Sequence, residues 1–268
     1  MKESLFNYNL PNQINPYRIA LSLIFKRLKW DLTIESWRSR KKLRKIKNLH
    51  EGKKAIIICN GPSLKDVDFD AFISSDIYFI GLNKINLLFD QTKFRPNAIL
   101  ASNYFVIEQN LDFFNETDIP LFLNADKHKT LKNRENVSFL NFASTPRRFA
   151  LDCSLSMFQG HTVTYAAMQL AFHMGFKNVA LIGCDHNFAT KGTSNKTVIA
   201  EKEDLNHFHP KYFADGVKWD LPDLLGSEHH YELADQVYEE NGRKIYNCTE
   251  GGKLEIFERA TLDFFIKL

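Results

Sequence analysis

A short apolar run, Ala55-Ile56-Ile57-Ile58, halts at Cys59-Asn60-Gly61-Pro62-Ser63-Leu64. Branched side chains without polar alternation, stopped by turn residues, predict a buried parallel strand opening into a tight loop. In open α/β sheets ligands bind beyond the carboxyl ends of the strands, so this loop is where a nucleotide is expected. Gly61 allows close backbone approach, and Pro62 suits the first position of a helical turn whose free N–H groups attract anions. Asn60 and Ser63 add hydrogen-bonding side chains. The loop is neither Gly-x-x-x-x-Gly-Lys-Ser/Thr nor Gly-x-Gly-x-x-Gly, which sets it apart from ordinary ATPase and dinucleotide fingerprints.

The same pattern continues downstream. Strands are predicted at Ala55 to Cys59, Ile77 to Leu82, Ala98 to Ala101, Pro120 to Asn124, Val137 to Leu140, Val179 to Gly183 and Lys244 to Asn247. Helices are predicted at Tyr104 to Phe114, Thr162 to Met174 and Ser227 to Asn241. The alternation predicts an α/β fold: a single Rossmann-like, doubly wound and mainly parallel sheet. Residues 50–268 form this domain, and a polar, His- and Lys-rich stretch at about 189–225 is long enough to be a lid.

Residues 1–49 read differently. Up to position 54 the chain holds about fourteen Lys or Arg against about four acids, although the whole carries a formal charge of only +3. Leu21, Phe25, Leu28 and Leu32 recur at helical spacing, followed by the basic run Arg38 to Lys45. This basic helical arm either packs on the domain or lies on an anionic membrane surface. No nucleic-acid-reading motif accompanies the charge, so nucleic acid is not an expected partner. Four scattered cysteines and the absence of a signal-peptide pattern or a membrane-length apolar run lead to a cytoplasmic expectation, peripheral on the inner membrane if the arm binds lipid.

Several residues are candidates for chemistry. Asn60, Asn83 and Asn103 stand at three successive strand ends, where each is either a turn former or a ligand contact. Thr162 opens a helix as an N-cap or an anion seat. Asp185, just past a strand, is suited to a ribose hydroxyl, a base or a metal, or to capping. In the lid, His207 and His209 are candidate general bases, and a metal site with Asp185 is a weaker alternative because the spacing fits no standard motif. Tyr212, Lys211 and Lys218 could steady a leaving phosphate.

Taken in order, Lys53 to Asp68, the strands ending at Asn83 and Asn103, and Thr162 to Asp185 resemble the bacterial CMP-sialic-acid-dependent sialyltransferases of lipooligosaccharide synthesis. Those enzymes carry a Gly-Asn-Gly-Pro-Ser-Leu loop, strand-end asparagines on CMP, a Thr-Ser-Gly helix start, a Gly-x-Asp strand end and a catalytic lid histidine. The resemblance implies that Asn60, Asn83 and Asn103 touch the nucleotide and that His207 is the base. The chain departs from that pattern at Gly160, where the family has an arginine, and at Asn187, where it has a tyrosine. Cys59 to Leu64, Thr162 to Tyr165, His207 to Pro210 and Asn247 to Leu254 also resemble a bacterial surface-polysaccharide family. Its members are named after the 6-hydroxymethylpterin diphosphokinase MptE.

The expectation is therefore an inverting, metal-independent glycosyltransferase. Its donor would be a nucleotide sugar, with a CMP-activated nonulosonic-type acid favoured, and its acceptor a cell-surface glycan that a lipid carrier would hold at the membrane. His207, Tyr212, Lys218 and Asp185 are the catalytic candidates; Asn60, Gly61, Pro62, Ser63, Asn83, Asn103 and Thr162 are the nucleotide-binding ones. No cofactor is expected. The alternative is an ATP-dependent diphosphokinase, which would need magnesium on Asp185 with Asp66 or Asp68.

Overall fold

The computed structural model describes residues 15–143, 148–188, 192–200, 203–213 and 216–268. Its centre is strand β1 (Lys54–Ile58), flanked by β2 (Tyr78–Leu82) and β6 (Asn178–Ile182), both parallel to it. Beyond β2 lie β3 (Ala98–Ala101), β4 (Leu121–Asn124) and β5 (Val137–Leu140). On the other side, β6 pairs with β9 (Lys244–Asn247), and β9 with β10 (Glu258–Arg259). Every pairing in this eight-stranded sheet is parallel, and the chain reverses its winding direction between β1 and β6. The doubly wound expectation holds, and the reversal defines where a ligand crevice opens.

The continuous apolar strands work because both faces are covered. From β1, Ile56 and Ile58 enter a phenylalanine-rich layer with Phe69, Phe72, Phe79 and Phe94. Ala55, Ile57 and Cys59 face α5 (Val163–Met174) and α6 (Leu224–Glu240). Thr162 caps α5, and Gly175 ends it in a left-handed conformation at φ 94°. The stretch Tyr104 to Phe114, expected as one helix, is two: α3 (Tyr104–Gln109) and α4 (Leu111–Glu116), broken at Asn110, whose side chain pairs with that of Asn86.

The basic arm divides into α1 (Pro16–Asp31) and α2 (Ile34–Ile46). Helix α2 belongs to the body: Ser39 Oγ accepts the Phe139 N–H at 2.9 Å, and Lys42 Nζ donates to the carbonyls of Arg134 and Val137. It covers the open edge at β5, where unpaired backbone groups would otherwise invite another chain. Within the expected lid, β7 (Thr197–Ile199) and β8 (Lys218–Asp220) form an antiparallel hairpin. A terminal helix, α7 (Leu262–Lys267), completes the order.

Candidate functional site

At the β1/β6 reversal a cavity of about 210 Å³ opens between the two strand-end loops and the lid. Asn60, Gly61, Asn83, Asn103, Thr162, Asp185, His207 and Tyr212 all line it. The sheet thus brings together eight of the candidates that sequence reasoning proposed. Pro62, Ser63 and Lys218 are not in the lining. Strand alternation explains Lys218, since its neighbour Trp219 points inward while Lys218 faces out and contributes only its carbonyl, to Gln109.

The nucleotide loop is built differently from the expectation. Pro62 opens a 3-10 turn over Pro62–Asp66, and the position in front of that turn is already filled. Ser63 Oγ donates to Asp185 Oδ2 at 2.8 Å, and the Ser63 N–H approaches both carboxylate oxygens at 3.3 and 3.4 Å. Asp185 therefore occupies the anion seat assigned to a phosphate. Gly61 is required by this contact, since a Cβ there would lie 1.8 Å from Asp185 Oδ2. Asn103 spends its Oδ1 capping α3, and the Thr162 hydroxyl caps α5 and meets Tyr231.

Asn60 and Asn83 are different. Asn60 Oδ1 is buried without a hydrogen-bond partner, and Asn83 Oδ1 and the Tyr212 hydroxyl are buried against each other without a well-formed bond. Unpaired buried polar atoms are costly and rare, so these groups are the candidates on this wall for ligand contact. Asn83, His161 and His186 also hold left-handed backbone at φ 52°, 63° and 51°, a region uncommon outside glycine but one that Asn and His enter more readily than most.

Over this wall sits the lid turn, organised by Asp204. Its carboxylate accepts from the Asn206 N–H at 2.7 Å, the Phe213 N–H at 3.0 Å and His207 Nδ1 at 2.7 Å. Burial raises the Asp204 pKa, but these donors outweigh it and hold the carboxyl below its ordinary range. His207 in turn stacks on Tyr212, with ring centroids 4.0 Å apart and planes 6° from parallel. With Nδ1 committed to Asp204, the ring keeps its proton there and Nε2 is the basic nitrogen. His209 stands outside the cavity lining, its Nδ1 accepting the Lys211 N–H.

Hydrogen bonds tie the lid turn to the body. The Phe208 N–H donates to the Asn60 carbonyl at 3.0 Å, and Lys84 Nζ donates to the Tyr212 carbonyl at 2.7 Å. Lys84 also bonds Gln109 and lies 4.9 Å from the Phe213 ring centroid. Burial pulls its pKa down to about 8, with Asp204 opposing.

The Asp204 shift has a direct consequence for stability. A carboxyl with a folded pKa below its unfolded value contributes stability above the ordinary carboxylate pKa of about 4, lost as pH falls further through the folded value. Acid unfolding of the wild type should therefore steepen below about pH 4 relative to Asp204→Asn. Coincident acid limbs by circular dichroism would contradict the hydrogen-bonded role of Asp204.

Residues 33–191, more than half of the chain, match the family described as 6-hydroxymethylpterin diphosphokinase MptE-like. The chain belongs to the MptE-like family. No curated protein sequence matches it. Among solved structures it is similar to the MAf glycosyltransferase from Magnetospirillum magneticum AMB-1, at 15% identity and a TM-score of 0.48. That alignment covers 92% of this chain and 42% of the other, so the chain spans under half of that protein's length. It is also similar to the sialyltransferase CstII from Campylobacter jejuni, solved with cytidine-5'-monophosphate as a substrate analogue. There the identity is 16% and the TM-score 0.37, over 79% of this chain and 86% of the other.

In this MptE-like chain, sequence reasoning missed Asp204, Lys84 and Trp219. The spacing Asp204-x-x-His207 was the available signal for the first, but it acquires meaning only once the turn brings the carboxylate to Nδ1 of the ring. Asp185 and Asp220 are the carboxylates of the described cavity lining, and Asp220 is engaged by the Thr197 hydroxyl at 2.6 Å. Among the described residues no group of three or more His, Cys, Asp or Glu side chains is arranged to hold a metal ion.

Proposed function

We propose that this protein transfers a sugar from a nucleotide-activated donor to an acceptor hydroxyl with inversion, His207 acting as the general base. The observation carrying this reading is the Asp204–His207 couple, set beside the buried amide oxygens of Asn60 and Asn83 on one cavity wall. His207 Nε2 takes the proton of the acceptor hydroxyl while its oxygen bonds to the anomeric carbon. The bond from that carbon to the donor phosphate breaks, and the phosphate leaves with the electron pair. The Tyr212 hydroxyl is available to donate to the departing oxygen. Asp204 fixes the imidazole tautomer and stabilises the imidazolium that forms.

The polar groups of the described lining are mostly amides, hydroxyls and imidazoles, with the carboxylates of Asp185 and Asp220 already bonded to neighbours and no lysine or arginine. Such a set suits a nucleoside and a polyhydroxylated sugar. The sequence resemblance favours a CMP-activated nonulosonic-type donor and a cell-surface glycan acceptor reached from the cytoplasm, with no metal assigned a role. The family description supports a second reading, ATP- and magnesium-dependent diphosphokinase chemistry on a hydroxymethylpterin. In that reading Asp185 would have to exchange its Ser63 bonds for the cation.

Thermal unfolding with CMP, CDP, UDP, GDP and ATP, each with and without magnesium, separates the two, because a ligand of the native state raises the melting temperature. Stabilisation by CMP without magnesium is expected. A response confined to ATP with magnesium overturns the transfer reading in favour of the second. In the same assay Asn60→Ala and Asn83→Ala should each weaken nucleotide binding by about 1–3 kcal/mol, the cost of lost desolvated hydrogen bonds. Unchanged affinity in both, with the fold intact, removes the proposed nucleotide wall.

A further inference from the structure

Helix α1 meets the body near its C-terminal end, where Arg27, Trp30 and Asp31 are its residues withdrawn from solvent. Arg27 donates to Asn141 Oδ1 and to the Leu155 carbonyl, and the buried Trp30 ring meets His128 edge-on at 5.4 Å. At 3.6 residues per turn, Tyr17, Leu21, Ile24, Phe25, Leu28 and Leu32 form a stripe on the opposite side. All six are exposed, Leu32 to 81%. A solvent-facing helix normally reverses this arrangement, so the stripe is a surface awaiting an apolar partner.

Helix α2 continues the surface with charge. Ile34, Trp37, Arg38, Lys41 and Lys45 share its outward face by the same periodicity, while Ser36, Ser39 and Leu43 face the body. The Trp37 indole N–H donates to the Asp31 carbonyl at 3.2 Å, which sets that ring against the last turn of α1. Arg38, Lys41, Lys42, Lys45 and Arg134 line a cavity of about 370 Å³ in which Glu135 is the single carboxylate.

We infer that α1 and α2 form a docking surface for an anionic lipid bilayer. The α1 stripe lies among the acyl chains near the headgroups, and the α2 cations meet lipid phosphates. Charge complementarity selects this occupant: a second copy would bring the same basic residues against themselves. No helix among the described residues is long and apolar enough to cross a membrane, so the helices lie on the surface. This inference stands independently of the transfer chemistry. It also gives the arm a purpose that edge covering by α2 does not, because α1 leaves the sheet uncovered.

Trp37 supplies the readout. Of the three tryptophans it is 72% exposed, while Trp30 and Trp219 are 7% and 6% exposed. Full-length protein titrated with phosphatidylglycerol-containing vesicles should show a saturable blue shift of tryptophan emission and should co-float with them. Binding should weaken at least about tenfold at high salt and with phosphatidylcholine alone. Phe25→Ser with Leu28→Ser should weaken it by about tenfold or more per residue. Lys41→Ala with Lys45→Ala should weaken it by roughly fivefold per residue. All four positions are exposed and remote from the cavity, so the melting temperature should be unchanged in both double variants. No vesicle binding, or binding indifferent to lipid charge, overturns the inference. So does a stable dimer that Phe25→Ser with Leu28→Ser dissociates, since that assigns the stripe to a second copy.

Discussion

Replacing His207 by alanine should lower turnover by a factor on the order of 10² to 10⁴, the usual cost of removing a positioned base. Nucleotide affinity should change little, because in the proposed site Nε2 addresses the acceptor and the nucleotide is assigned to Asn60 and Asn83. Asp204→Asn should give a loss of the same order without removing the ring, since an amide no longer fixes the Nδ1–H tautomer or stabilises the imidazolium. The pair should be strongly non-additive: Asp204→Asn placed on His207→Ala should cost little more turnover. The measurement is steady-state transfer from whichever donor the thermal panel identifies. Near wild-type turnover in His207→Ala would end the assignment and turn attention to His186, whose Nε2 meets Glu228 at 2.9 Å on the same cavity.

Gly61→Ala should be the most damaging small substitution in the nucleotide loop. Its φ of −71° is open to any residue, so the demand for glycine is purely steric. The added methyl would meet Asp185 Oδ2 at 1.8 Å and the Gly183 carbonyl oxygen at 2.7 Å. Asp185 can swing away only by giving up Ser63, and the Gly183 carbonyl is held by the Gly61 N–H at 2.8 Å. A destabilisation of about 1–3 kcal/mol is expected, together with loss of nucleotide binding. The same methyl should cost less in an Asp185→Ala background, a coupling that chemical denaturation of the four-member cycle would measure. Equal costs in both backgrounds would mean that Asp185 is not the obstruction.

Much of this architecture was legible because of how parallel sheets are buried. Strands covered on both faces show uninterrupted apolar runs, and β3 and β5 begin and end where those runs do. The lid hairpin was not legible, since β7 and β8 are three residues each and half solvated. That gap misled the reading of Lys218: without knowing the strand, its outward orientation could not be inferred. The convergence of Asn60, Asn83 and Asn103 followed from their positions at successive strand ends. Which of them remained free for a ligand did not, because capping by Asn103 is decided by backbone geometry beyond the strand. Asp204 was hidden for a similar reason, as its three donors meet only after the lid turn closes.

Asn60 has two duties that are usually divided between residues. Its carbonyl accepts the Phe208 N–H of the lid, and its side-chain oxygen waits unpaired on the cavity wall. A ligand that met this oxygen and the seated lid together would link occupancy of the wall to the position of the lid. By thermodynamic reciprocity, a ligand that favours the seated lid by some factor is itself bound more tightly by the seated lid by that factor. The first substrate to arrive would thus set the position of Asp204 and His207 for the second.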